Sequence, residues 1–578
     1  MTNKYKPECL PRPLRAVVVR LIVCLGLMAA TAQSPAQQAV KLSVDPSADL
    51  GPVPRLFRPS VMASWAQAEA VNAFLSLPGD LGAIRVTLEQ LIQQTNTLEA
   101  YTARLTKEAH SLRELEKRNA EVIVTLARTP SWLAGSKETK LASPYGFALR
   151  EALPPRDQAG YAEYVEATVR ILNQQIGLKP WYEFWNEPDL DGFWRGTPEQ
   201  LFATYASFLS GARRADPAAR VGGLCTSGWY QKGPGKWNSD DESEALLSRF
   251  LRFIRTIPQK TGERPIDFVC WHNFGSHPEQ EWWGADEIRT WLQREDLPGL
   301  PQLVTEWNLW STFPAWLDPQ RDSEVGAAYI PAALHAMEAA GITMQTFATL
   351  QDYRSAGNGN AFPGDFGLLT REPMLEKASF LVMRMLAMLE SRRIAVSFAD
   401  PQSKTEGINA IATKNGEKIA ILVHRYGNDF AGTFIRSLKR SGYPRGKGLN
   451  INAQQLDAFA SGKTDLDRGE ASAGAKMALV EARSAAQRAR QTAPTSPMLN
   501  LTIAGRPGPF RYRVYLVDAQ HGNPAKIYRT QRAQGTSHAQ ALSAARAVSF
   551  SPLYSGVGAV PPIPLRTYSV ALILLDPP

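Results

Sequence analysis

Between residues 55 and 390, apolar runs of strand length alternate with longer segments of helical periodicity, and the alternation repeats eight times. Parallel strands cannot be joined by a tight turn, so repeated strand–helix units call for a parallel sheet covered by helices. The predicted strands are Leu56–Met62, Leu81–Thr87, Glu121–Ala127, Trp181–Trp185, Arg220–Leu224, Ile266–Trp271, Leu303–Glu306 and Thr343–Leu350. Helices are predicted over Ala66–Leu77, Asn96–Asn119, Gln158–Gln175, Pro198–Ala215, Asp322–Ala340 and Leu375–Ser391. Eight such units predict an α/β fold, a (β/α)8 TIM barrel over 40–390.

After residue 390 the pattern changes to short alternating strands. Ile408–Thr413 and Lys418–His424 flank Asn415-Gly416, a hairpin signal, and Leu499–Ile503, Phe510–Val517 and Thr567–Leu575 continue the series. A C-terminal β-sandwich accessory domain over 391–578 is expected, joined by the early strand Val40–Val44. A basic insertion interrupts it at 431–495, and Ala, Gln, Ser and Arg enrichment over 525–550 suggests a surface loop.

Lys4, Lys6, Arg12, Arg15 and Arg20 precede the apolar run Leu21–Met28 and then Ala30-Thr31-Ala32. That order of basic, apolar and small residues predicts a signal peptide over 1–32 and a periplasmic or secreted protein, with no stable membrane span after cleavage. The formal charge of +9 concentrates in the leader and the insertion, so it does not argue for nucleic acid. Cys225 and Cys270 remain after cleavage, each near a strand end. Two buried free thiols are expected, a disulfide being the alternative.

Two segments carry the chemistry. Trp181-Tyr182-Glu183-Phe184-Trp185-Asn186-Glu187-Pro188 and Leu303-Val304-Thr305-Glu306-Trp307-Asn308 each end an apolar run in a carboxylate flanked by Trp and Asn. Hydrolysis of a glycosidic bond asks for such a pair: one group protonates the leaving oxygen, the other attacks or stabilises the anomeric carbon. On the strand count Glu187 ends the fourth barrel strand and Glu306 the seventh, at the C-terminal rim where barrel active sites lie. Glu183 shares the strand parity of Glu187, so it should point into the barrel lower down and pair with Arg85.

These residues resemble glycoside hydrolase family 39, within the large retaining glycosidase clan. The resemblance extends to Asp267-Phe268-Val269-Cys270-Trp271-His272-Asn273-Phe274-Gly275, to Asp352-Tyr353, to Phe366-Gly367-Leu368-Leu369, and to Tyr512–Tyr515 and 518–523. It implies that Glu187 is the acid/base and Glu306 the nucleophile of a double displacement that retains anomeric configuration. It also implies a hydrolase of β-xylosidase-like or exopolysaccharide-cleaving type. One departure bears on the sugar: Arg85 is followed by Val86-Thr87, where many β-xylosidase-type members carry Phe-His.

Around the two carboxylates, Asn186 suits a sugar 2-hydroxyl, Arg85 and His272 a carboxylate or the substrate, and Trp185 and Trp307 the floor beneath a sugar ring. Trp132, Trp194, Trp229 and Trp310 fall in rim loops, and Phe274, Asn308 and Asp352 complete the candidate substrate contacts. Gly-rich phosphate loops, His-Glu-x-x-His and Cys-x-x-Cys are absent from the sequence, so no metal or organic cofactor is needed. The expected partner is carbohydrate, and the oligomeric state is left open. A transglycosylase and a non-catalytic glycan-binding protein on the same fold are the alternatives, the latter disfavoured by two intact carboxylates.

Overall fold

In the computed structural model, the described residues are 39–64, 67–140, 148–232, 244–258, 264–312, 315–355, 359–399, 407–427, 477–478, 480–481, 483–484, 496–506, 508–548 and 550–578. The signal peptide expected at 1–32 lies outside them, as does nearly all of the 431–495 insertion. No helix among them is long and apolar enough to cross a membrane.

The chain enters through β1 (Ala39–Pro52) and then builds a closed parallel barrel: β2 (Val61–Ala63), β3 (Ala83–Thr87), β4 (Glu121–Leu126), β5 (Trp181–Phe184), β6 (Arg220–Thr226), β7 (Phe268–Gly275), β8 (Gln302–Leu309) and β9 (Met344–Phe347). Helices cover it outside. Gln158–Arg170 and Pro198–Ala215 show how the sequence sets them. The second begins at a Thr197/Gln200 capping box with Pro198 in its first turn, and turns Leu201, Tyr205, Phe208 and Ala212 inward. Each such Leu or Phe contributes about 1.5–3 kcal/mol relative to exposure. Gly211 lets the two helices touch: a Cβ there would lie 2.2 Å from the Ala162 carbonyl oxygen.

Inside the barrel the side chains stack in layers, as alternation along each strand requires. Ala83, Ile123, Phe268, Leu303 and Met344 fill the lower, apolar layer with the two cysteines. Arg85, Thr125 and Glu183, all fully buried, form a polar layer. Cys225 and Cys270 are joined by a disulfide between β6 and β7, which corrects the expectation of free thiols. Both cysteines face inward from neighbouring strands, with Cα atoms 4.9 Å apart, inside the range a bridge needs.

The accessory domain is one nine-stranded sheet among the described residues. Its remaining strands are β10 (Arg392–Phe398), β11 (Ile408–Asn415), β12 (Lys418–Arg425), β13 (Met498–Ile503), β14 (Phe510–Val517), β15 (Tyr554–Gly558), β16 (Ile563–Pro564) and β17 (Ser569–Asp576). They run in the order β15-β14-β17-β12-β11-β10-β1-β13-β16. Val40 and Leu499 share an apolar cluster with Val514 and Ile573, so strands from both ends of the sheet enclose one core. The expected hairpin pairs Asn415 with Lys418 across Gly416-Glu417, with Gly416 at φ 59°.

Two expectations change here. Residues 39–52 belong to this sheet, so the barrel starts after them rather than at 40. The 525–550 stretch is helical, not a loop: Pro524–Ala533 and His538–Arg546 are capped by Asn523 and Ser537, and Ala525, Ala541 and Ala545 face inward. Good helix formers between two side-chain caps outweighed the composition argument.

Candidate active site

At the end of β5 the backbone turns abruptly. Trp185 (φ 62°) and Glu187 (φ 44°) both adopt the left-handed conformation, which costs a non-glycine residue about 1–2 kcal/mol. The surroundings hold them there. Trp185 donates its amide to Leu126 O at 3.3 Å and its indole N–H to Phe193 O at 3.0 Å, and the Glu187 amide donates to Cys225 O at 2.7 Å. The turn aims the Glu187 side chain over the barrel mouth.

Glu306 arrives from β8. Its Oε1 lies 2.6 Å from Arg85 Nη1, and Arg85 also donates through Nε to Glu183 at 2.7 Å and through Nη2 to Asn186 Oδ1 at 2.7 Å. With its oxygen engaged by arginine, Asn186 keeps its amide N–H groups for a ligand. His272, from β7, sits between the carboxylates: Nδ1 is 2.9 Å from Glu187 Oε1 and Nε2 is 3.8 Å from Glu306 Oε1. One oxygen of each carboxylate and a ring nitrogen of His272 lie within 4.8 Å of one another.

The two carboxylates are not equivalent. Burial pushes Glu187 up to about 7, opposed by Arg85 and Arg128 and assisted by the charge of Glu89. Burial also raises Glu306, opposed by the charge of Arg85 bonded to it. Burial lowers His272, so its imidazole is neutral, able to accept from a protonated Glu187 or donate to an ionised one. The three groups have the spacing of a cation site, yet Arg85 already neutralises Glu306 and would repel a metal ion there. A second cluster, Glu183 with Cys225 and Cys270, offers no thiolates because the cysteines are bonded.

Residues 142–426 match the profile of Glycosyl hydrolases family 39. That segment, which carries both carboxylates, belongs to this family. A beta-xylosidase from Geobacillus stearothermophilus is 27% identical over 202 residues, which is 31% of this chain. The match spans 36% of that relative's length. Two solved structures share the fold. A monomeric beta-xylosidase from Caulobacter crescentus CB15 superposes with TM-score 0.65 at 19% identity, covering 93% of this chain and 100% of the other. A family 39 enzyme from Xanthomonas axonopodis pv. citri does so with TM-score 0.65 at 20% identity, covering 95% and 99%.

Within this family 39 site, Arg85, Asn186, Glu187, His272 and Glu306 converge as the sequence suggested, and Glu183 pairs with Arg85. Phe274 and Trp310 stand partly exposed at the rim, rings 6.1 Å apart. Five other candidates are placed elsewhere. Trp307 is fully buried, bonded to Gln345 and packed on Tyr329 and Phe347: alternation that turns Glu306 inward turns its neighbour outward. Trp185 and Trp194 are buried edge to face at 4.9 Å, leaving no ring face for a sugar. Asn308 spends its amide on Ala348 O, Phe366 O and the Leu309 N–H. Asp352 is buried in an ion pair with Lys377 at 2.7 Å.

Trp132 packs on Tyr101 and Tyr164 in the helix layer, partly exposed, and is no clear wall of the site. The sequence reading missed Asp189 and Arg128. Asp189 is buried, accepts from the Ser227 amide at 2.8 Å, and is pushed up to about 7 by burial and by the charge of Glu187. Its position two residues after Glu187 was the available signal. Arg128, at φ 74° beyond β4, pairs with Glu89 at 3.3 Å, and nothing in the sequence marked it.

Proposed function

We propose that this chain is an exported retaining glycosidase that hydrolyses an oligo- or polysaccharide by double displacement, of β-xylosidase-like or exopolysaccharide-cleaving type. The observation that carries the reading is the short separation of Glu187 and Glu306, within 4.8 Å oxygen to oxygen, together with a cation bonded to only one of them. Inverting enzymes keep their carboxyl groups about 6.5–9.5 Å apart to admit a water, whereas direct attack needs roughly 5–5.5 Å.

In this reading Glu306, ionised against Arg85, attacks the anomeric carbon while Glu187 gives its proton to the departing glycosidic oxygen. The product of that step is an ester between the sugar and Glu306. Glycosylation removes the negative charge on Glu306, so Glu187, now ionised, takes a proton from water as the water attacks the anomeric carbon and releases Glu306. The Asn186 amide donates to the 2-hydroxyl, a bond that strengthens as positive charge develops on the ring. The beta-xylosidase of Geobacillus stearothermophilus supports a pentoside substrate, and Val86-Thr87 beside Arg85 supports a different one.

A panel of 4-nitrophenyl glycosides identifies the sugar. On the best of them Glu306→Ala should lose at least about a thousandfold in kcat, and added azide should restore turnover with a glycosyl azide of inverted configuration. Unchanged activity in Glu306→Ala would overturn the assignment. Export is read by sequencing the N-terminus of the mature protein, expected just after Ala32; an intact Met1 on cytoplasmic protein would refute it.

A further inference from the structure

Among the described residues of the barrel, 55–390, four large apolar side chains are exposed: Leu190 (37%), Tyr230 (47%), Leu317 (36%) and Tyr353 (41%). All four lie on loops leaving the C-terminal ends of strands, following β5, β6, β8 and β9 in turn. None lies at the opposite end of the barrel. Scattered surface apolar groups need no explanation, but a set confined to the rim of one cleft does.

They fall on two flanks of the carboxylate pair. Leu190 and Tyr230 stand on the Glu187 side. Leu317 and Tyr353 stand on the Glu306 side, with the half-buried Trp310 and Trp316 between them. Both flanks are held rigid from beneath. Arg321, itself buried, lies over the Phe366 ring at 3.5 Å and donates to Leu309 O at 2.6 Å, Trp316 O at 2.9 Å and Gly364 O at 3.2 Å, tying the segment after β8 to the one after β9. Trp310 and Trp316 pack on Phe366 at 5.7 and 4.8 Å. On the other flank Asp189 fastens the Ser227 loop, and Tyr230 rests edge to face on the buried Trp229 at 5.0 Å.

We propose that these flanks are sugar-stacking subsites on both sides of the cleavage point, so that the substrate is a glycan of several sugar units crossing the mouth. Rigid aromatic faces complement the C–H faces of pyranose rings and lose little entropy on binding. A substrate recognised through one terminal sugar alone would leave both flanks wet and apolar without use. The inference rests on the glycosidase reading above.

Two measurements separate the two claims. The first is kcat/KM on 4-nitrophenyl glycosides carrying one and three units of the sugar that the panel identifies. The trisaccharide should exceed the monosaccharide by about tenfold or more, and Tyr353→Ala or Trp316→Ala should lower that ratio by about two- to tenfold. The second is affinity electrophoresis of the whole chain through gels cast with xylan, β-glucan or alginate. At least one polymer should retard the protein, and Tyr230→Ala or Leu317→Ala, both surface truncations, should weaken the retardation.

Hydrolysis of the monosaccharide glycoside with no length dependence, and retardation unchanged in the variants, would overturn the subsites while leaving the glycosidase reading intact. Retardation without hydrolysis of any aryl glycoside would do the reverse. If the truncations instead change the oligomeric state in light scattering and not the length ratio, the rim is a contact between copies of this chain and the proposal fails.

Discussion

Arg85 bonds directly to Glu306 and not to Glu187: its guanidinium lies 2.6 Å from the first carboxylate, while the second is hydrogen-bonded to the neutral imidazole of His272, at 2.9 Å. One buried cation thereby separates the duties of two neighbouring acids. The same guanidinium pairs with Glu183 Oε1 in the barrel interior. Replacing Arg85 by Met should therefore move the acidic limb of the kcat/KM profile to higher pH, since Glu306 loses a cation that favours its ionised form. It should also cost about 3–5 kcal/mol of stability, because Glu183 is left as an unpaired buried charge. The double variant Arg85→Met/Glu183→Met should regain part of that loss in urea unfolding. An acidic limb that stays in place would refute the electrostatic role of Arg85.

The basic limb belongs to the other acid. Glu187 is pushed up to about 7 by burial, so activity should fall as pH rises through that value and the proton needed by the leaving group is lost. Glu89 contributes to this elevation and also partly neutralises Arg128. Glu89→Gln removes a negative charge and frees a positive one, and both changes favour ionised Glu187. The limb should shift to lower pH, with kcat at acid pH little altered. A shift to higher pH would contradict the sign.

The cross-link between β6 and β7 joins the strand whose Cys225 carbonyl holds the Glu187 amide to the strand that carries His272 two residues beyond Cys270. It closes a loop of 45 residues, which in the chain-entropy account stabilises the fold by about 4 kcal/mol. Cys225→Ala/Cys270→Ala should lower the urea midpoint accordingly, and wild-type protein unfolded with a reductant present should match the double variant. Identical midpoints with and without verified reduction would remove the disulfide from the stability of the barrel.

Much of this architecture was legible because it follows from period and spacing. The strand–helix alternation gave the barrel, and helix Pro198–Ala215 was bounded by its own capping box. The two carboxylates stood out because each ended an apolar run. What stayed hidden depended on geometry that a linear pattern does not carry. Trp307 looked like a sugar floor through its neighbour Glu306, although strict alternation puts adjacent strand residues on opposite faces. Arg128 acts on Glu187 through space from a left-handed turn, and Glu187 in turn raises Asp189 in the loop beyond it. The Cys225–Cys270 bond needed the register of β6 against β7, which only the closed barrel fixes.

The seam between barrel and sheet carries a titration of its own. His335, on the helix Glu324–Ala340, and His424, on β12, lie with ring centroids 5.2 Å apart. Arg393 and Glu338 face them, Glu338 at 4.0 Å from His335. Neither nitrogen of His424 has a hydrogen-bond partner among the described residues. Burial pushes His424 down to about 3, and burial with the charge of Arg393 pushes His335 well below its ordinary value. Both rings are thus neutral in the folded state, while the unfolded chain takes up their protons below about pH 6.5. Stability is then full above that pH and declines as pH falls toward the depressed folded values, by about 2 kcal/mol at pH 5 for His424 alone. His424→Phe keeps the ring contact without the proton, so its unfolding free energy should decline less between pH 7 and pH 5 than that of the parent chain. Parallel declines in urea titrations at the two pH values would show that the seam does not govern acid sensitivity.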